Sequence, residues 1–315
     1  MLIAIDGGGS KNDLILFTED GKVLNRVIGK GSNVSEMGPE AASDRLIEQL
    51  SELLKNHGGP AAQISALFAG LSGGGAVSSR QQVIDRLKAA LPGTEGVYIS
   101  GDTVTALYAG VGTGDGMALI AGTGTSEYVR YGRTNYTMVG GWGQLIDDAG
   151  SGFWLGKEAI NAALREEDGR GRKTLLTQLI NDKLGKSVRS SIYYLYSDGK
   201  RTIASFAPVV FAACEQGDEV ALEILGRAAD ELELLIRTGA KLIDKKPWRV
   251  ALVGGLWNAP LLKNAVCSRF NEDYLISQVT VPPVIGSALA AAEKAGLNAD
   301  DDFRDRLVQS LKEVG

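Results

Sequence analysis

The sequence predicts an α/β fold in two halves, each with a central mixed β-sheet flanked by helices, and two observations lead there. Residues 2–101 order as βββαβαβ, with the apolar spacing switching between period two and helical spacing. The glycine hairpin Asp6-Gly7-Gly8-Gly9-Ser10 then returns as Ala121-Gly122-Thr123-Gly124-Thr125, with a strand before it, glycine at the second and fourth places and a hydroxyl at the fifth. Two copies of one hairpin so far apart indicate a duplicated domain rather than a short solenoid repeat.

Each element follows from local chemistry. Leu2 to Ile5 is a strand, the glycines turn the chain, Asp13 to Phe17 returns, Asp20-Gly21 turns again and Val23 to Ile28 is the third strand. Leu46, Ile47, Leu50, Leu53 and Leu54 recur at helical spacing after Pro39 and predict a helix to about Asn56. Ser65 to Leu71 is a strand, Ser79 to Leu91 a helix, and Val97 to Ser100 a strand running into Asp102. The second copy opens with Met117 to Ala121; Tyr128 to Tyr131 alternates, and Tyr136 to Val139 follows a turn. Beyond Asp148 long helices dominate, notably Glu219 to Leu242 with its stripe of Val220, Leu222, Ile224, Leu225, Ala228, Leu232, Leu235 and Ile236. Arg249 to Val253 is a strand ending in Gly254-Gly255, Val284 to Lys294 an alanine-rich helix after Pro282-Pro283, and Phe303 to Val314 a closing helix. The mixed charge run 165–173 reads as a solvated loop. The expected division is 1–114 with a C-terminal helix at about 298–315, against 115–297.

Composition narrows the chemistry. The 315 residues suit about two domains, and 44% hydrophobic with 23% charged residues is ordinary globular content. A net charge of -5 with no basic run excludes the footprint of a nucleic-acid binder. No signal peptide or membrane span is read, so no membrane partner is expected and the cytosol is the expected compartment. Cys214 and Cys267 are unpatterned, which argues against a disulfide framework or zinc site. The single histidine, His57, sits at the polar end of a helix, so histidine-based triads and multi-histidine metal sites have nothing to build on.

Glycines in a strand-to-strand turn leave backbone N–H groups free to face an anion, and Ser10 and Lys11 can add contacts; an ordinary tight hairpin is the other reading. The spacing is neither that of a Walker A loop nor that of a dinucleotide fingerprint. Two such hairpins look like jaws around a phosphate chain, and an acidic protein then needs a cation, with Asp6, Asp102 and Asp148 as candidate carboxylates. Asp102 stands at the C-terminal end of a strand, where ligands gather, and can serve as a general base, as a helix N-cap, or as both. Gly140 to Gly152, with Trp142 and two adjacent acids among glycines, reads as a sugar-binding loop or as a connector whose tryptophan fills the core.

In order, these segments resemble the sugar-kinase, heat-shock-protein-70 and actin superfamily, and within it the N-acetylglucosamine kinase and BadF/BadG/BcrA/BcrD ATPase-like family. The likeness rests on Asp6 to Lys11, Ala121 to Thr125, Val253-Gly-Gly-Leu-Trp257-Asn258 and the run from Gly140-Gly-Trp-Gly143 to Asp148-Ala-Gly-Ser151, and covers nearly the whole chain. It implies a duplicated actin-like, ribonuclease H-like fold with the ligand cleft between its domains, and a homodimer. It implies an ATP- and Mg2+-dependent kinase acting on the 6-hydroxyl of an amino sugar such as N-acetylglucosamine, glucosamine or N-acetylmuramic acid. Asp102 becomes the catalytic base. Gly8, Gly9, Ser10, Lys11, Gly122, Thr123, Gly124, Ser205, Gly254, Gly255 and Asn258 fall on ATP. Asn33, Asp102, Thr125, Ser126, Gly141, Trp142, Gly143 and Asp148 fall on the sugar, and Asp6 and Asp148 on the metal through water. The family often has Gly-Asp-Glu-Gly-Ser where this chain has Asp147-Asp148-Ala149-Gly150-Ser151, which adds one acid and removes another. ROK-type sugar kinases carry a cysteine-rich zinc motif and a sugar-binding histidine that this sequence lacks. The remaining readings are an activase acting on a protein partner, which in its iron-sulphur form would need Cys214 and Cys267, and a nucleotide-binding module without turnover.

Overall fold

The computed structural model describes residues 1–74, 77–132, 134–197 and 199–314, and the chain divides into two compact units, Met1–Gly114 with Val279–Gly315 and Asp115–Gln278. Unit one opens with β1 (Leu2–Gly7), β2 (Lys11–Phe17) and β3 (Val23–Lys30), an antiparallel meander, followed by α1 (Val34–Leu54). Next come β4 (Ala66–Leu71), α2 (Val77–Ala90), β5 (Val97–Ser100) and α3 (Asp102–Val111). Strands β4 and β5 pair in parallel beyond β1, giving the order β3-β2-β1-β4-β5. One sheet face buries Ile3, Ile5, Leu14 and Leu16 against Leu46, Leu50 and Leu53 of α1 and Val83 and Leu87 of α2. The period-two pattern of the strands and the leucine spacing of α1 meet there.

Unit two repeats the plan. It runs β6 (Gly116–Ala121), β7 (Thr125–Tyr131), β8 (Asn135–Val139), α4 (Gly152–Glu167), α5 (Leu175–Leu184), α6 (Ile192–Ser197), α7 (Gly199–Ala204), α8 (Ala207–Glu215), α9 (Glu219–Ala240), β9 (Trp248–Val253), α10 (Pro260–Cys267) and β10 (Tyr274–Gln278). Its sheet order, β10-β9-β6-β7-β8, is that of unit one with a hairpin, a third antiparallel strand and two parallel strands in corresponding places. Two mixed five-stranded sheets of one topology are the duplicated actin-like architecture. β10 has no counterpart in the sequence reading, because it is a short edge strand that alternates between partly buried and exposed residues and has none fully buried.

The chain then returns to unit one through α11 (Pro283–Lys294) and α12 (Asp301–Leu311). The expected boundary at residue 297 is thus corrected to residue 278. The reason is packing: Ser287 Oγ donates to the Ile5 carbonyl at 2.8 Å and lies 3.1 Å from Thr105 Oγ1 of α3. Small side chains let α11 lie directly on α3, and a methyl at Gly286 would run into the Thr105 carbonyl. Gly286→Ala should therefore cost unit one about 1–3 kcal/mol or more, read as a lowered denaturant midpoint at unchanged slope. α12 closes against the meander, with Ser310 Oγ accepting the Val23 N–H at 2.9 Å. Among the described residues no helix is long and apolar enough to cross a membrane.

Candidate active site

In unit one the expected residues stand at the end of β1 (Asp6), in the turn from β1 to β2 and at the start of β2 (Gly8 to Lys11), after β3 (Asn33) and at the start of α3 behind β5 (Asp102). The first turn closes with the Gly8 N–H on the Lys11 carbonyl at 2.9 Å, and among the described residues the N–H groups of Gly9 and Ser10 donate to nothing. They are open to an anion. The turn is held from below: Ser32 N–H donates to the Gly8 carbonyl at 3.0 Å, and a methyl at Gly31 would run into the Gly8 and Gly9 carbonyls. Buried Asn12 accepts from the Ser32 N–H and hydroxyl, each at 3.1 Å, and donates to Gln49 Oε1 at 2.8 Å. Asn33 caps α1, its Oδ1 accepting from the Ser35 N–H at 3.0 Å, which leaves both amide N–H donors for a ligand.

Asp102 is the first residue of α3, and the cap position is Gly101, which makes no side-chain cap bond. The capping role left open by the sequence is therefore not what its carboxylate does. Asp102 Oδ2 instead accepts from Ser72 Oγ at 2.7 Å. Ser72 escaped the sequence reading. Its N–H donates to the Gly7 carbonyl at 2.7 Å and its carbonyl accepts from the Val34 N–H at 3.0 Å, so one residue ties the first hairpin, the start of α1 and Asp102 together. The available signal was a serine at the C-terminal end of a parallel strand, followed by glycines.

The Asp6 carboxyl is pushed up from 3.8 to about 6, first by burial and then by the charges of Asp102 and Asp13, against the pull of Lys11. Asp13 is bound on both oxygens by Arg26 at 2.9 and 2.7 Å, whereas among the described residues no ion pair is made to Asp6. A divalent cation relieves such a carboxylate pair. Among the described residues no group of three or more acidic, histidine or cysteine side chains is arranged to enclose a metal.

In unit two the second turn closes with the Gly122 N–H on the Gly124 carbonyl at 2.9 Å, and the N–H groups of Thr123 and Gly124 donate to nothing among the described residues. The start of α4 holds it, with Gly152 N–H on the Gly122 carbonyl at 2.8 Å and Phe153 N–H on the Thr123 carbonyl at 3.1 Å. The glycine loop folds back on the same strand: Gly141, at φ 81°, sets its bare Cα against Ser126, and Gly140 and Gly143 are likewise left-handed. Trp142 is 69% exposed, so it does not fill the core. The core tryptophan is Trp257, whose indole N–H donates to the Leu119 carbonyl at 3.3 Å. Among the described residues the buried Thr125 hydroxyl has no hydrogen-bond partner.

Asp148, the one non-glycine residue with positive φ (63°) among the described residues, is 4% exposed and takes Lys200 Nζ on Oδ2 at 2.8 Å. Gly254, at φ 110°, presses on the Ala121 carbonyl, which brings Gly254 and Gly255 to the end of β6. Two expected nucleotide residues are occupied within the chain: Asn258 Oδ1 accepts from Gln278 Nε2 at 2.9 Å, and Ser205 Oγ donates to the Thr202 carbonyl at 2.7 Å. The structure thus gathers Gly8 to Lys11, Asn33, Asp6 and Asp102 in unit one, and Gly122 to Ser126, Gly141 and Asp148 in unit two.

The chain is 35% identical over 262 residues, 82% of its length and 85% of the relative's, to an N-acetylmuramic acid/N-acetylglucosamine kinase of Clostridium acetobutylicum. It is 27% identical to an N-acetyl-D-glucosamine kinase of Dictyostelium discoideum, covering 92% of this chain and 97% of that one. Among solved structures, a Chromobacterium violaceum protein described provisionally as an N-acetylglucosamine kinase superposes with a TM-score of 0.69 at 26% identity, covering 92% of this chain and 98% of that one. Residues 3–291 match the BadF/BadG/BcrA/BcrD ATPase family, and the chain belongs to that family.

Proposed function

We propose that this chain is an ATP-dependent kinase that phosphorylates the 6-hydroxyl of an amino sugar, with N-acetylglucosamine the leading acceptor. The observation that carries the reading is Asp102: an exposed carboxylate at a strand's C-terminal end, not spent on capping, and oriented by the Ser72 hydroxyl. It accepts the proton of the sugar hydroxyl as that oxygen attacks the γ-phosphorus. The bond from phosphorus to the β–γ bridging oxygen breaks, and ADP leaves with the electron pair. The free N–H groups of Gly9, Ser10, Thr123 and Gly124 are donors suited to phosphate oxygens, and Asn33 donates to a ring hydroxyl. A sugar hydroxyl would also relieve the unpaired Thr125 hydroxyl, whose isolation costs on the order of 1–3 kcal/mol.

Asp6 would hold magnesium through water, the ion neutralising charge on the phosphates; Asp148 is already engaged by Lys200, so the metal is assigned to Asp6 alone. The iron-sulphur activase reading is not favoured: Cys214 is buried and its thiol is pushed up to about 11, mainly by burial, so it is far from the thiolate such a cluster needs. The test is ADP release with N-acetylglucosamine, N-acetylmuramic acid, glucosamine and glucose in turn. Turnover stimulated by an amino sugar is expected, and no stimulation by any of the four overturns the reading.

A further inference from the structure

The two hairpins differ in one respect that bears on phosphate binding. The first is followed at once by a cation, Lys11, whereas at the corresponding place in the second stands Ser126. A turn with two free N–H groups and no positive charge would meet a polyphosphate with half the equipment of its twin. The structure supplies the missing charge from α7, far along the chain. Lys200 Nζ lies 2.8 Å from Asp148 Oδ2, and the pair rests on the second turn: a methyl at Gly124 would stand 2.9 Å from Asp148 Oδ2 and 3.1 Å from Lys200 Nζ. The two partners are unequally placed, Asp148 being 4% exposed and Lys200 33%. The carboxylate is enclosed while the ammonium keeps an open side and two N–H donors beyond the one it gives Asp148.

We infer that Lys200 is a phosphate ligand of the second hairpin, shared between Asp148 and a phosphate group of the bound nucleotide. Thr123 and Gly124 offer N–H groups, Lys200 adds charge, and Asp148 sets where the ammonium stands before the nucleotide arrives. The inference rests on the kinase reading for the identity of its anion.

Sharing makes the two halves of the pair act in opposite directions. Asp148 competes with phosphate for the ammonium, so Asp148→Asn should bind ADP as tightly as wild type or several-fold tighter. Lys200→Met should bind it roughly ten- to a hundredfold more weakly, the loss of one charge-assisted hydrogen bond. A merely structural ion pair predicts the same direction for both, because breaking it from either side loosens the loop. Calorimetric titration of the whole protein with ADP decides. Weakening in both variants, or an unchanged affinity in Lys200→Met, overturns the inference; a wild-type protein that binds no ADP overturns the kinase reading along with it. Should Lys200→Met fail to fold with its unpaired buried carboxylate, the double variant Lys200→Met/Asp148→Asn, compared with Asp148→Asn alone, carries the same test and the same expected loss.

Discussion

Asp102→Asn should lower kcat with the preferred amino sugar by about 10²–10⁴ while leaving the dissociation constants of ATP and sugar within a few-fold of wild type. The size of the effect follows from what the substitution removes. Asparagine keeps the shape of the side chain and an oxygen that can still accept from Ser72 Oγ, so the first turn, α1 and α3 stay tied as they are. What is lost is a group that can take a proton from an attacking hydroxyl. An interaction of that kind exists only as the reaction proceeds, so its removal falls on kcat rather than on ground-state binding. Steady-state ADP release together with calorimetry separates the two, and near-normal turnover in Asp102→Asn removes the base assignment. Ser72→Ala should show a smaller loss of the same kind, since it frees the carboxylate to rotate without removing it.

The fold was largely legible because its signals are local and repeated. The meander, the leucine spacing of α1 and the stripe of α9 follow from periodicity alone, and the second hairpin announced the duplication. The misses share a different cause. α11 reads as an unremarkable alanine-rich helix, and its place on α3 depends on close approach at Gly286, a distant contact that no local pattern encodes. β7 carries Glu127 and Arg130, both fully buried, in a sequence that alternates like a half-exposed strand. Burial pushes the Glu127 carboxyl well above the usual carboxylate range, against a smaller opposite pull from the Gly239 backbone. At the site, the glycine turns and Asp102 were visible because their residue types are unusual in context. Ser72 and Lys200 were not, because a serine and a lysine are common, and only the fold brings them to Asp102 and Asp148.

Asp6→Asn should make the protein more stable at pH 7.5 and leave its stability at pH 4 nearly unchanged, while lowering activity. Burial and the neighbouring charges of Asp102 and Asp13 favour the protonated form of Asp6 in the folded state. The folded protein therefore holds this proton up to about pH 6, whereas the unfolded chain releases it near 3.8. The sign follows from linkage: the group's contribution to stability is fully present below 3.8 and is lost as pH rises toward 6. Above that, the ionised carboxylate costs the native state roughly 3 kcal/mol. Asparagine cannot ionise, so the variant should recover on the order of 2–3 kcal/mol at pH 7.5, where the cost is complete. At pH 4 there is little to recover. Denaturant unfolding of both proteins at the two pH values measures this directly, and an equal shift at both, or a less stable variant at pH 7.5, would show that Asp6 is not held against its charge. The same charge is what a magnesium-bound polyphosphate would use, so the variant should need more magnesium for half-maximal turnover. Stability gained at pH 7.5 together with activity lost would mark Asp6 as a residue kept ionised at a cost to the fold for the sake of its ligand.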